Sequence, residues 1–374
     1  MALIVFAVGR DADFLVAGVP AAARVVREAR LAGMASCEVL AGSGWQPNAI
    51  TRSETQRLCD SMPVVFGPAV SGNDAARARA RVAVIRGDAM PPAQAIADAV
   101  AGRNEPVEGI EIAYGHGIDE AIARAMSARH DAAERLRVAG RNILRSTAKP
   151  TDGIVSRYIN RPVSQALSAI ALRYPGIAPI HATIGTGVIA ITMFASLLLG
   201  GESGLIAGAL LFQAASIFDG VDGEISRATW LTSNAGARMD SLLDAATNLA
   251  FLLGVAINLQ MQDRVLGASL GYTGLVLLAM GLFLIGGVAA RSNAPFSFDL
   301  VKEHYRAKSA GGVVDEKPSQ IMQWLTFMTS RDFFALVFAL LIAFGFATLV
   351  LALFAIAAAG WLVAVILALV PKHA

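Results

Sequence analysis

Apolar and polar positions change their spacing part-way along the chain. Up to about residue 148 the apolar residues come in short runs between polar, helix-compatible stretches. Residues 3–8 (LIVFAV) predict a buried strand, followed by a Gly9-Arg10 loop and a helix around 20–32. Further strands are expected near 37–41, 64–66 and 81–86, and the alternation predicts an α/β sandwich over 1–148. Asp119 to Ala148 reads as one long, Ala- and Arg-rich helix with charge around much of its circumference, a solvated connector toward a bilayer. Residues 149–181 form a linker. Within it, 154–174 mixes apolar residues with Arg157, Arg161, Arg173, Tyr158 and Tyr174, as an amphipathic helix in a membrane interface does.

Beyond residue 180 the runs lengthen. Spans are expected at about 182–200, 204–221, 239–259 and 266–290, and a 333–371 run too long for one crossing splits near 347–350. Six spans result, making 182–374 an all-α membrane domain. Composition agrees: 55% apolar against 16% charged residues, with a mean hydropathy of +0.56, is too apolar for an ordinary soluble protein of 374 residues. The loops at 222–238 and 291–332 carry the arginines and lysines, and the opposite loops carry little beyond Glu202, Asp263 and Arg264. That asymmetry predicts an N-terminal domain and loops on the cytoplasmic side of the inner membrane. The N-terminus has no basic residue ahead of its apolar run and fits a first strand better than a signal peptide. A net charge of +2 without basic–aromatic clustering argues against nucleic acid, and Cys37 and Cys59, outside any metal spacing, are expected as reduced thiols.

The second span runs uncharged to Asp219, and the chain then reads DGVDGEISR (219–227) and, eight residues on, GARMDSLLD (236–244). On helices, Asp219 and Asp222 share a face at i, i+3, and Gly236, Asp240 and Asp244 form one stripe at spacings of four. Opposed, the two faces surround one pocket with four carboxylates. Such a group near hydrocarbon needs cations, and all-oxygen ligation favours Mg²⁺ or Mn²⁺ in a one- or two-metal site able to clamp a diphosphate. Gly220, Gly223 and Gly236 leave room for helices or a nucleotide. The plainer alternative, solvated helix ends paired with Arg227 and Arg238, explains one aspartate better than four on matching faces.

These residues match the signature of the CDP-alcohol phosphotransferases, D-x-x-D-G-x-x-A-R-x(8)-G-x-x-x-D-x-x-x-D, with Ser226 in place of the alanine. The resemblance covers about 150–374. It implies six transmembrane helices, a homodimer, Mg²⁺ or Mn²⁺, and an active site open to the cytoplasm. It further implies that Asp219, Asp222 and Asp240 bind the metals, joined by Asp244, which is also the base taking the acceptor's proton. Gly220, Gly223, Arg227, Gly236 and Thr183 would contact the cytidine nucleotide. The partners implied are a CDP-alcohol donor (CDP-diacylglycerol or a CDP-inositol type), an alcohol or phosphoalcohol acceptor, and membrane lipid. Residues 152–168 resemble the juxtamembrane entry of archaeal inositol-phosphate-transferring members, some of which carry a cytidylyltransferase. The family's Pro-Asn-x-x-Thr reads Pro179-Ile180-His181-Ala182-Thr183 here. Arg157, Arg161 and Arg331 are candidates for an acceptor phosphate or anionic lipid, against ordinary snorkelling at the interface.

Residues 14–34 resemble the second element of sugar-nucleotide cytidylyltransferases, which makes 1–148 nucleotidyltransferase-like. Those enzymes place a lysine near the triphosphate, and no lysine precedes Lys149. The domain is therefore read as degenerate, with Asp88 in VIRGD as either a metal-binding acid at a strand end or a helix cap. Two rivals stay open: a bifunctional enzyme that also makes its own CDP-alcohol, and a non-catalytic membrane scaffold.

Overall fold

In the computed structural model, which describes residues 1–42, 44–68, 81–103, 107–127, 130–149, 152–292 and 331–369, the first apolar run forms strand β1 (Ala2–Phe6), buried along its whole length. A short helix α1 (Gly9–Ala12) leads to a hairpin of β2 (Leu15–Val16) and β3 (Val19–Pro20), which sequence periodicity is too local to reveal. Its turn residues Ala17 and Gly18 both have left-handed φ (44° and 84°), the two-residue geometry whose twist suits a hairpin. Helix α2 (Ala21–Leu31) follows, then β4 (Cys37–Ala41), α3 (Ala49–Cys59), β5 (Val64–Pro68) and β6 (Arg81–Arg86). Asn48 caps α3, its side-chain oxygen accepting the Thr51 N–H at 2.7 Å. Helix α4 (Ala93–Ala101) and β7 (Ile110–Tyr114) complete the sheet.

The strand order is β5-β4-β1-β6-β7, parallel except for β7, which runs antiparallel to β6. The α/β expectation holds, and β7 is an addition to it. Five residues with Glu111 between the isoleucines give too little alternation to mark a strand.

The single helix expected over 119–148 is two helices, α5 (Gly117–Ser127) and α6 (Ala132–Ser146), the second entered through Asp131 at φ 61°. Nor is α6 solvated all round. Ala132, Leu136, Gly140 and Leu144, spaced by four and hidden among arginines in the sequence, are buried, and Leu136 joins the core around Ile4, Phe6 and Val25. Cys37 and Cys59 are both buried and free.

A π-helical turn (Ser156–Asn160) runs into α7 (Arg161–Ala171). Then come α8 (Pro179–Leu199), α9 (Gly201–Thr229), α10 (Asn234–Met261), α11 (Val265–Ser292), α12 (Arg331–Ala343) and α13 (Ala347–Leu369). Five of these, α8 to α11 and α13, are long and apolar enough to cross a membrane, the pattern of a multi-pass membrane protein. α12 is apolar but has 13 residues among those described, short of a crossing. The C-terminal run breaks at 344–346, earlier than expected, because Gly345 (φ 85°) stops α12 in a left-handed cap.

By contacts the chain divides into two compact units. One comprises Met1–Ala148, Gln165–Ala178 and Gly223–Leu231; the other comprises Lys149–Ser164, Pro179–Asp222 and Thr232–Ala374. In the second unit α10 packs on α8, and α11 runs along α13. A Cβ on Gly274 or Gly281 of α11 would strike Phe354 or Trp361, so these glycines permit the close approach. Phe212 of α9 stacks on Phe251 of α10 at 3.9 Å between centroids, in a core with Met193, Leu197 and Leu351. Asn258, buried in α10, donates to the Leu197 and Gly201 carbonyls at 2.6 and 2.9 Å and so fixes the turn between α8 and α9.

Candidate active site

The polar residues of the second unit gather on α9 and α10. Asp219 lies in α9, and Asp240 and Asp244 lie one turn apart in the N-terminal half of α10, which Ser233 caps by accepting the Gly236 N–H at 2.9 Å. One carboxylate oxygen from each of Asp219, Asp240 and Asp244 lies within 4.8 Å of the others, and all three side chains are half-buried. The donors are anionic oxygens at a separation one cation can bridge, which fits a hard divalent ion such as Mg²⁺ or Mn²⁺.

Asp222 is placed differently. It is buried, and its Oδ2 accepts the Thr183 hydroxyl at 3.0 Å, while it lies close enough to Asp240 and Asp219 for their charges to repel it. Thr183, one turn into α8, thus reaches a carboxylate, a contact its sequence position alone does not disclose. Of the four aspartates, the structure brings Asp219, Asp240 and Asp244 into one group and sets Asp222 against Thr183; which three converge is a matter of helix rotation.

The glycines of the signature serve close packing. A Cβ on Gly220 would sit 3.2 Å from Arg161 Nη1 and 3.3 Å from Ser164 Oγ. Arg161 itself is engaged by Asp152, with Nε and Nη2 donating at 2.7 and 3.1 Å. Burial alone would raise the Asp152 pKa, but the Arg161 hydrogen bond, the Lys149 N–H and the charges of both hold the carboxyl below its ordinary value. Arg157 is exposed, and the side chain of Arg331, at the start of α12, lies outside the described residues. In the first unit, Arg227 packs over Gly223 and donates from Nε to the Thr147 carbonyl at 2.8 Å. Ser226, the departure from the signature alanine, donates to the Leu231 carbonyl at 3.0 Å and closes the turn after α9.

Three polar pairs lie outside the signature. Glu224 is fully buried and accepts the Ser168 hydroxyl at 2.6 Å. In the second unit Ser216 donates to Asp332 at 2.9 Å, and Gln213 donates to Asn160 at 2.9 Å. An acid inside an apolar span is the sequence signal that flags Glu224.

In the sheet domain, β1 and β6 meet where the strand order reverses, the usual place for a ligand crevice at the C-terminal ends of parallel strands. Asp11 and Asp88 are both buried there. Burial raises the Asp11 pKa, with Asp88 adding to it. Asp88, the candidate metal ligand of this domain, lies 3.0 Å from Arg86 and is also ion-paired to Arg135. Two guanidinium groups thus occupy the carboxylate that a metal would need.

Comparison with known proteins agrees with the geometry. The family model described as CDP-alcohol phosphatidyltransferase matches residues 177–370, just over half the chain. A protein named bifunctional IPC transferase and DIPP synthase from Thermococcus kodakarensis is 30% identical over 211 residues, 55% of this chain and 45% of that one. Proteins of the same name from Aquifex aeolicus and Archaeoglobus fulgidus are 36% and 34% identical over 29% and 34% of this chain, and 24% and 25% of theirs. The matches thus span less than half the length of these relatives.

Proposed function

The chain belongs to the CDP-alcohol phosphatidyltransferase family, and from that premise we propose that it transfers a phosphoalcohol group, of phosphatidyl or inositol-phosphate type, from a CDP-alcohol to an acceptor hydroxyl with release of CMP. The observation that carries this reading is the convergence of Asp219, Asp240 and Asp244 within 4.8 Å. Asp219, Asp222 and Asp240 would hold Mg²⁺ or Mn²⁺, with Asp244 able to join them. When bound, the ion neutralises the diphosphate and stabilises charge at the attacked phosphorus. The acceptor oxygen forms a bond to the phosphorus distal to cytidine, the bond from that phosphorus to the bridging oxygen breaks, and CMP leaves with the electron pair. The acceptor's proton passes to a carboxylate oxygen of Asp244, one turn beyond Asp240 on the same helix face. Thr183 orients Asp222 through its hydrogen bond. Gly220, Gly223, Arg227, Gly236 and Thr183 are the proposed nucleotide contacts, and Arg157, Arg161 and Arg331 the proposed phosphate contacts.

The named relatives are bifunctional, which raises a second activity for residues 1–148. The pairing of Asp88 with Arg86 and Arg135, and the absence of lysine before Lys149, favour a degenerate nucleotidyltransferase-like domain instead. Six spans, a homodimer and a cytoplasm-facing site in the inner membrane belong to the same proposal. The experiment is CMP release by the purified chain in detergent with Mg²⁺ or Mn²⁺. CDP-diacylglycerol and CDP-inositol are offered against inositol, inositol phosphate, glycerol phosphate and lipid alcohols, beside Asp244→Asn. Metal-dependent release lost in the variant supports the reading, and no release from any donor by folded, metal-binding protein overturns it.

A further inference from the structure

Among the described residues, Arg24 is a buried cation without a carboxylate ion pair. The residue is 3% exposed; its Nε donates to the Val16 carbonyl at 2.6 Å and its Nη2 to Ala17 and Ala228 at 2.9 and 2.6 Å. Among the described residues nothing accepts from Nη1, and no carboxylate lies within ion-pair distance. The nearby Glu28 is already engaged by Arg27 at 2.7 Å and by the Ala93 N–H at 3.0 Å. Burial pushes the guanidinium pKa down to about 9, which still leaves it charged at neutral pH.

Arg24 lines a cavity of about 300 Å³, within the first compact unit, together with Arg227, Met90, Pro91, Pro92 and Trp230. Its walls are mostly apolar, and its volume lies at the lower end of small-molecule sites. Met90 and Trp230 both hold left-handed backbone (φ 49° and 58°), a conformation that bulky residues adopt only when their surroundings impose it and that recurs at ligand clamps. The Trp230 ring lies under the Arg27 and Arg24 guanidinium groups at 3.9 and 4.7 Å, which fixes the cavity's cationic wall.

We propose that this cavity binds an organic phosphate no larger than a nucleoside monophosphate, its phosphate accepting from Arg24 and its body packed against Met90, Pro91 and Pro92. The proposal does not depend on the transfer reading: Arg227 also stands among the proposed nucleotide contacts, but Arg24, Met90, Pro91 and Pro92, on which the proposal rests, do not. The phosphate supplies the missing counter-charge, and the apolar wall distinguishes an organic phosphate from a bare anion.

The test is calorimetric titration of the full chain in detergent with EDTA, which disables any metal-dependent binding at the aspartates. The probes are CMP, glycerol phosphate and inorganic phosphate. Saturable binding of at least one organic phosphate is expected, with inorganic phosphate weaker by about tenfold or more, and Arg24→Gln weakening it by a similar factor. Because Arg24→Gln also removes bonds to three carbonyls, Ser146→Trp provides an independent arm: Ser146 is exposed in the last turn of α6 and lines the cavity, so the indole fills it without disturbing the core. Binding should disappear in Ser146→Trp and persist in Asp240→Asn. The proposal is overturned if neither organic phosphate binds, if inorganic phosphate binds as tightly, if Ser146→Trp binds normally, or if Asp240→Asn abolishes binding.

Discussion

Thr183→Val isolates one contact of the aspartate site with little change of shape. The threonine hydroxyl donates to Asp222 Oδ2 at 3.0 Å, and the two residues are 4% and 8% exposed, so water does not replace the bond when it is lost. A hydrogen bond to a charged group in such surroundings is worth about 1.5–3 kcal/mol. If the full amount is used in positioning Asp222 for the transition state, kcat/KM falls roughly 10- to 150-fold. The assay is CMP release against metal concentration, with unfolding temperature as a control on integrity. Thr183→Val should lower kcat/KM and raise the metal concentration needed for half activation, and Thr183→Ser should restore both. A folded Thr183→Val enzyme within about twofold of wild type would refute the positioning argument.

Asp240→Asn removes one charge from the converging trio, and CMP release should drop by about 100-fold or more, with divalent-cation affinity reduced in a calorimetric titration. Asn258→Ala leaves the Leu197 and Gly201 carbonyls unsatisfied inside the helical core, and at about 1–3 kcal/mol for each it should lower the unfolding temperature measured by tryptophan fluorescence. Asp152 has a folded pKa below its ordinary value of 3.8. Its pairing with Arg161 therefore contributes stability that is fully present above that ordinary value and is lost as pH falls through the depressed folded one. Asp152→Asn should accordingly destabilise the protein at neutral pH, with the difference from wild type closing in strong acid in parallel denaturant titrations.

The sequence alone made the candidate site of this protein more legible than its shape. Aspartates at three- and four-residue spacings on consecutive apolar segments pointed to facing helix stripes over solvated helix ends, because helical periodicity is local and ionisable groups are costly beside hydrocarbon. For the same reason β1, β4, β5 and β6 were legible as short apolar runs, and α8 to α11 and α13 as long ones. What depends on contacts between distant residues was not. Helix rotation, not spacing, decides that Asp219 groups with Asp240 and Asp244 while Asp222 turns to Thr183, 39 residues away. The burial of α6 was hidden because its four small and apolar contacts are interspersed with arginines that face outward. Arg24 reads as an ordinary surface arginine in an amphipathic helix; only folding brings the Ala228 carbonyl, 204 residues distant, onto its guanidinium and leaves the charge buried. Local pattern fixes which groups a helix face presents, and tertiary packing alone decides which of them lose water and what must replace it.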